Sequence, residues 1–212
     1  MIVVIGQPAL GHVDGEPVAA GSAARIALAA AARGAAVQLV AKVGEDPDGE
    51  ALVLALAQGH VSHVAVQRDP SHPTPRAGAL DEAPDSDELA GSRPGQAGGL
   101  ALDAADVDLA LRYLTEFRVV VLAGDLDAAA VRVAAEATGW SNGTLIAVVG
   151  EDRSDAADLP PDAIVLGAPA DDAEGAFDRL VGEFAAAIDA GGDPKAAFRD
   201  LVASAGWEPA AT

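Results

Sequence analysis

The sequence predicts an α/β protein with a mainly parallel sheet covered by helices on both faces, a three-layer αβα arrangement. Three observations predict it. Short, continuous apolar runs rich in β-branched residues recur at 1–5, 36–43, 119–123 and 144–149, the pattern of strands buried on both faces. Alanine-rich helical stretches alternate with these runs, and alternation of strand and helix builds parallel sheets. Helix starts and stops sit at the joints: Asp46-Pro47 and Asp193-Pro194 read as caps followed by proline at the first helical position, and Gly34 and Gly59 read as helix ends.

In chain order, residues 1–5 form a strand that stops at Gly6. Residues 9–18 are less regular and read as an extended flap. Residues 22–33 are helical, with Ile26 and Leu28 among alanines, and Gly34 ends them. A second buried strand covers 36–43. Asp46 caps a helix that runs to Gln58. Residues 63–67 read as a strand. Residues 69–99 break the rhythm with five prolines and five glycines, including Pro70, Pro73, Pro75, Gly98 and Gly99. This is loop, with one short strand expected near 77–80 and a flexible acidic and Gly/Pro-rich stretch over 83–99. Asp103 then caps a helix expected to reach Phe117, followed by a strand over 119–123, a helix over 127–138, strands over 144–149 and 163–166, and closing helices over 174–190 and 193–205. The whole chain, 1–212, reads as one domain.

Composition narrows the function classes. A chain of 212 residues buries about 70% of its unfolded surface without a disulfide or metal staple. There are no cysteines, which excludes disulfides, thiolate zinc sites and cysteine nucleophiles and suits a cytoplasmic location. With 33 acidic against 13 basic residues and a net charge of −20, the surface repels nucleic acid and anionic lipid, so neither is expected as a partner. No apolar run approaches the ~20 residues of a membrane span. Two tryptophans, one tyrosine and four phenylalanines leave the core to Ala, Val and Leu. His12, His60, His63 and His72 show no ligand spacing, and no metal site is expected. There is no GxGxxG after the first strand, no GxxxxGK[ST] and no HExxH.

One constellation points further. Ala20-Gly21-Ser22-Ala23-Ala24-Arg25-Ile26-Ala27, then Gly34, then Lys42-Val43-Gly44-Glu45-Asp46-Pro47-Asp48-Gly49-Glu50, resembles the first signature and the KVGDDxxGE stretch of the ribokinase-like (PfkB) carbohydrate kinases. Pro73-Thr74-Pro75 is similar to the threonine-bearing entry to that family's lid, and 118–124 to its central strand. The resemblance implies a ribokinase-like, Rossmann-like αβα domain with a reduced β lid formed from about 9–18 and 63–82. It also implies a sugar site near Gly21, Ser22, Arg25, Gly11 and Asp46, with Mg-ATP as the phosphoryl donor if the chain is an active kinase.

Several residues depart from the family's pattern. Arg25 stands where the family has an asparagine, and Gly11 where it has an aspartate that holds a sugar hydroxyl. Placing Asp172-Ala173-Glu174-Gly175 over the GAGD tetrad puts Gly175 at the position of the catalytic aspartate. Ala173, Glu174 and Gly175 then become a remnant of the anion hole, and Glu174 the nearest candidate for a displaced base. Acids at 171, 172 and 174 repel a triphosphate, and they also serve as ordinary helix caps. The connection from the strand at 163–166 to the last two helices is short, where family members carry the segment that covers the adenine. These departures imply a degenerate member with no cofactor, acting as a binding or assembly protein. Its partners would be a second copy, an active paralogue or a small anionic metabolite at Arg25, which would otherwise pair with an acid such as Asp46. The alternative is an active phosphotransferase on a sugar or nucleoside hydroxyl that uses displaced acids.

Overall fold

The computed structural model describes residues 1–77, 100–150, 159–169 and 175–204. Its centre is a seven-stranded sheet built from β1 (Ile2–Gly6), β4 (Val37–Gly44), β5 (Val61–Ser62), β6 (Val66–Asp69), β7 (Val119–Ala123), β8 (Thr144–Val149) and β9 (Ile164–Gly167). The strand order is β5-β4-β1-β7-β8-β9, with β6 also on β4, and every pairing is parallel. A separate antiparallel pair joins β2 (Ala9–Val13) to β3 (Glu16–Ala20). The chain moves outward from β1 to one edge, then returns beside β1 at β7 and moves to the other edge. Strand order therefore reverses at β1, and in open sheets of this kind the crevice at the carboxyl ends beside such a reversal is where ligands bind.

Side-chain alternation divides the core between the two faces. Ile2 and Val4 of β1 pack on the face that carries α1 (Ser22–Ala32), α2 (Pro47–Gln58) and α5 (Ala176–Asp189). Val3 and Ile5 pack on the opposite face, against α3 (Ala104–Tyr113) and α4 (Ala128–Trp140). The last helix, α6 (Pro194–Ser204), lies on α5, with the Phe184 and Phe198 rings edge to face at 5.6 Å.

The caps expected at Asp46 and Asp103 fold as such: Asp46 accepts the Gly49 amide, and Asp103 forms a reciprocal capping box with Asp106. Asp127, read as the first helical residue, is the cap of α4 and accepts the Ala130 amide. Three further expectations are sharpened or corrected. The extended flap and lid strand read at 9–18 takes the form of an antiparallel hairpin over 9–20: Asp14 and Gly15 both have positive φ (53° and 85°), the two-residue turn that matches strand twist. The strand read over 63–67 is two strands. Val61–Ser62 pairs with Val37–Gln38 and Val66–Asp69 with Ala41–Gly44, so one extra residue is accommodated between them and Val64 turns out to solvent. The helix read to Phe117 ends at Tyr113, because Leu114 leaves the helix (ψ 82°) and both Leu114 and Phe117 insert into the core beside α3 and α4. Of the strand expected at 77–80 only Ala77 lies within the described residues, beside Arg76, which pairs with Leu10; the 83–99 stretch lies outside them.

Helices α1 and α5 run side by side in the same direction: Ser22 and Arg25 meet Asp178, and Ile26, Ala29 and Ala30 meet Gly182. A methyl at Gly182 would run into the Ile26 carbonyl oxygen. Gly182→Ala is therefore expected to lower stability by about 1–3 kcal/mol through overpacking. Gly139, also inside a helix, has open space around its missing Cβ, so Gly139→Ala is expected to raise stability by about 0.4–1 kcal/mol. Urea unfolding of both variants checks the contrast; equal effects of one sign would contradict this account of the α1–α5 contact.

Candidate functional site

The carboxyl edge of the sheet beside β1 is tightly built. A Cβ at Gly6 would overlap the Ala123 carbonyl oxygen, so β1 and β7 leave their pairing at a point where only glycine fits. Gly21 precedes α1 at φ 82°, with its Cα face against the Gln7 carbonyl and Ala9 amide. This places Ser22, at the first turn of α1, against the first turn of α5.

Asp178 is the centre of that contact. It is a buried carboxylate in a chain whose other buried polar side chains, among the described residues, are threonines. Its Oδ1 accepts the Ser22 hydroxyl at 2.6 Å, and its Oδ2 accepts the Arg25 Nε–H at 2.7 Å. The Asp178 side chain is 6% exposed and the Arg25 side chain 39%, so the ion pair has a buried anion and a cation that reaches the surface. Position favours the charge: an acid in the first turn of a helix meets the positive end of the dipole. A buried carboxylate with charged and hydroxyl donors is held far more firmly than a surface pair.

Gly175 is the residue just before α5, with φ 64° and no side-chain cap. A Cβ there would lie 2.7 Å from Arg25 Cδ and 2.8 Å from Arg25 Nε. The absence of a side chain at Gly175 is what lets Arg25 lie across the start of α5.

The structure brings Gly21, Ser22, Arg25 and Gly175 to one place, sets Gly11 on the hairpin that leads into Gly21, and turns Asp46 to other partners. Gly11 is buried in β2, against Ala20, Val18 and Ala77. Asp46, one acid that Arg25 could have paired with, has other partners. Its Oδ1 accepts the Gly49 amide and the Thr74 hydroxyl, both at 2.7 Å, and its Oδ2 accepts the Thr74 amide at 2.8 Å. Thr74 in turn accepts the Gly44 amide at 2.9 Å. This network ties the segment after β6 to the β4–α2 turn, and the same segment pairs with β2 through Leu10. Ala173 and Glu174 lie outside the described residues.

Asp178 is the residue that sequence reasoning missed. The signal was present: Gly175-Ala176-Phe177-Asp178 is itself a G-A-x-D stretch, three residues downstream of the tetrad chosen above. Among the described residues no group of three His, Cys, Asp or Glu side chains is placed to hold a metal ion, and no helix is long and apolar enough to cross a membrane.

No family model matches the sequence, and no curated protein matches it. Solved structures do match. The crystal structure of Sa239 superposes with a TM-score of 0.66 at 14% identity, over 99% of this chain and 95% of the other. Ribokinase from Arabidopsis thaliana, solved with ribose and ATP, superposes with a TM-score of 0.63 at 15% identity, over 96% of this chain and 90% of the other. A PfkB protein from Polaromonas sp. JS666 gives 0.62 at 13% identity, over 94% and 92%. The chain has the ribokinase-like fold. Identities this low carry the architecture alone, and a ribokinase-like fold hosts whatever chemistry its crevice residues allow.

Burial pushes the Asp46 carboxyl up, but hydrogen bonds from the Thr74 and Gly49 amides and the Thr74 hydroxyl outweigh it and hold the pKa below its ordinary value of 3.8. A depressed folded pKa contributes stability that is complete above the ordinary value and is lost as pH falls through the folded one. Asp46→Asn keeps a competent cap without the charge. Its thermal midpoint is expected to fall less steeply than the wild type's between about pH 5 and pH 2; parallel acid profiles would show that the Asp46 network is not ionic.

Proposed function

We propose that this ribokinase-fold protein binds a small molecule at the crevice beside α1 and α5 and does not carry out ordinary ATP-dependent sugar phosphorylation. The observation that carries the reading is the state of Asp178, the buried carboxylate in the first turn of α5. Both of its oxygens are held by the chain's own side chains, Ser22 and Arg25.

The G-A-x-D match at 175–178 shares three of four residues with the GAGD tetrad, whereas 172–175 shares only the alanine. We therefore assign Asp178, not Gly175, to the position of the family's base. A general base works only within hydrogen-bond reach of the proton it removes. Here the Ser22 hydroxyl stands at 2.6 Å from Oδ1, the place an acceptor hydroxyl would take, and Arg25 closes Oδ2. The departures at Arg25 and Gly11, and the acids at 171, 172 and 174, work in the same direction. Phosphoryl transfer depends on positioning and on stabilising charge, and this edge of the sheet favours neither.

A second reading keeps one specific observation on its side, the survival of Asp178 itself. In that reading the chain is a phosphotransferase to a sugar or nucleoside hydroxyl, with Mg-ATP as donor and Asp178 as base once substrate displaces Arg25.

Calorimetry with Mg-ATP, followed by a coupled assay for ADP release over a panel of sugars and nucleosides, separates the two. The expected result is no heat of binding and no turnover above solvent. Turnover that falls by ~10² or more in Asp178→Asn would overturn the first reading and establish the second.

A further inference from the structure

We propose that the outer edge of Arg25 receives the oxyanion of a small metabolite, a carboxylate or a phosphate, and that this contact sets the specificity of the crevice. The inference rests on the binding function proposed above and names the ligand's chemistry.

The guanidinium is only partly used within the protein. Its Nε donates to Asp178, while its two terminal amino groups make no hydrogen bond or ion pair among the described residues. The side chain is also fixed in place. Asp178 is buried and held by Ser22, and Gly175 has no Cβ, so the stem of Arg25 lies flat across the start of α5. A surface arginine ordinarily loses rotamer freedom when it binds a ligand; this one has already lost it on folding, which lowers the cost of binding.

Location separates Arg25 from three other cations that are paired with acids. Lys42 is closed onto Asp106, Arg76 onto Asp48 and Arg112 onto Asp108, each at an acid of its own neighbourhood. Arg25 alone of these stands at the meeting of α1 and α5, on the carboxyl edge of the sheet next to the reversal of strand order, where ligands of such sheets bind. The chemistry follows from the shape of the group. Two terminal amino groups on a planar cation present a fork that matches two oxygens of a carboxylate or phosphate. A neutral hydroxyl would satisfy one donor and leave the charge unanswered. With a net charge of −20 the protein does not attract anions from a distance, so recognition depends on this contact rather than on steering.

The test uses the full chain and a set of matched probes: glycerate, gluconate, glucose 6-phosphate and inorganic phosphate, beside neutral glycerol and glucose. Thermal-shift and calorimetric titrations read binding. At least one anion is expected to bind ten-fold or more tightly than its neutral parent, and the carboxylate and phosphate arms show which oxyanion is preferred. Arg25→Gln is expected to weaken that anion ten-fold or more. Arg25→Lys, which keeps the charge without the fork, is expected to lie between, and serves if the glutamine variant does not fold. Arg33→Gln, at the exposed far end of α1, is expected to change nothing. A neutral parent that binds as tightly as its anion, unaffected by either Arg25 variant, would overturn the oxyanion contact and leave the binding function standing. No binding by any probe would overturn both.

Discussion

Helices α1 and α5 lie parallel and close enough that one methyl group at Gly182 would meet the Ile26 carbonyl. That approach sets the geometry of the whole carboxyl edge. It brings the first turns of two helices from opposite ends of the sequence together, so Ser22 and Arg25 share Asp178 across more than 150 residues of chain. Glycines make it possible at two levels: Gly182 along the helix faces and Gly175 where Arg25 crosses the start of α5. The apolar face of the sheet, with Ile2 and Val4 beneath, anchors the pair by burial rather than by charge.

The helix-capping acids and Asp178 differ in what surrounds them. Asp46, Asp103 and Asp127 cap helices, and Asp46 also ties the segment after β6 to the β4–α2 turn. At each of them a backbone amide three residues on supplies a donor. Asp178 differs because its partners are side chains of another helix, and because it is buried while its cation is not. A buried carboxylate with one exposed partner joins interior to surface, and it is at that joint that a ligand can meet the protein's charge.

Much of the fold was legible in the sequence because its elements are locally determined. Continuous Val/Ile runs at β1, β7 and β8, the Asp46-Pro47 start of α2 and the Asp127 cap each follow from residues within a few positions. The extended character of 9–18 was legible too, but its Asp14-Gly15 turn was not singled out, because Pro17 and the alanines blur the alternation on either side. The site was half legible. Gly21, Ser22, Arg25 and Gly175 were implied by the family resemblance, and they do lie together. Asp46 was chosen on the same grounds and is turned inward to Thr74.

By itself, the sequence determined the αβα class, the order of its elements and most of their ends, since hydrophobic period and capping chemistry act over one or two turns. Only the tertiary structure decided where α3 stops, how β5 and β6 share β4, and which acid answers Arg25. Each of these depends on partners distant in sequence: Leu114 and Phe117 leave helical geometry for the core, the extra residue between β5 and β6 is set by pairing with β4, and Asp178 becomes Arg25's partner only once α5 is laid against α1.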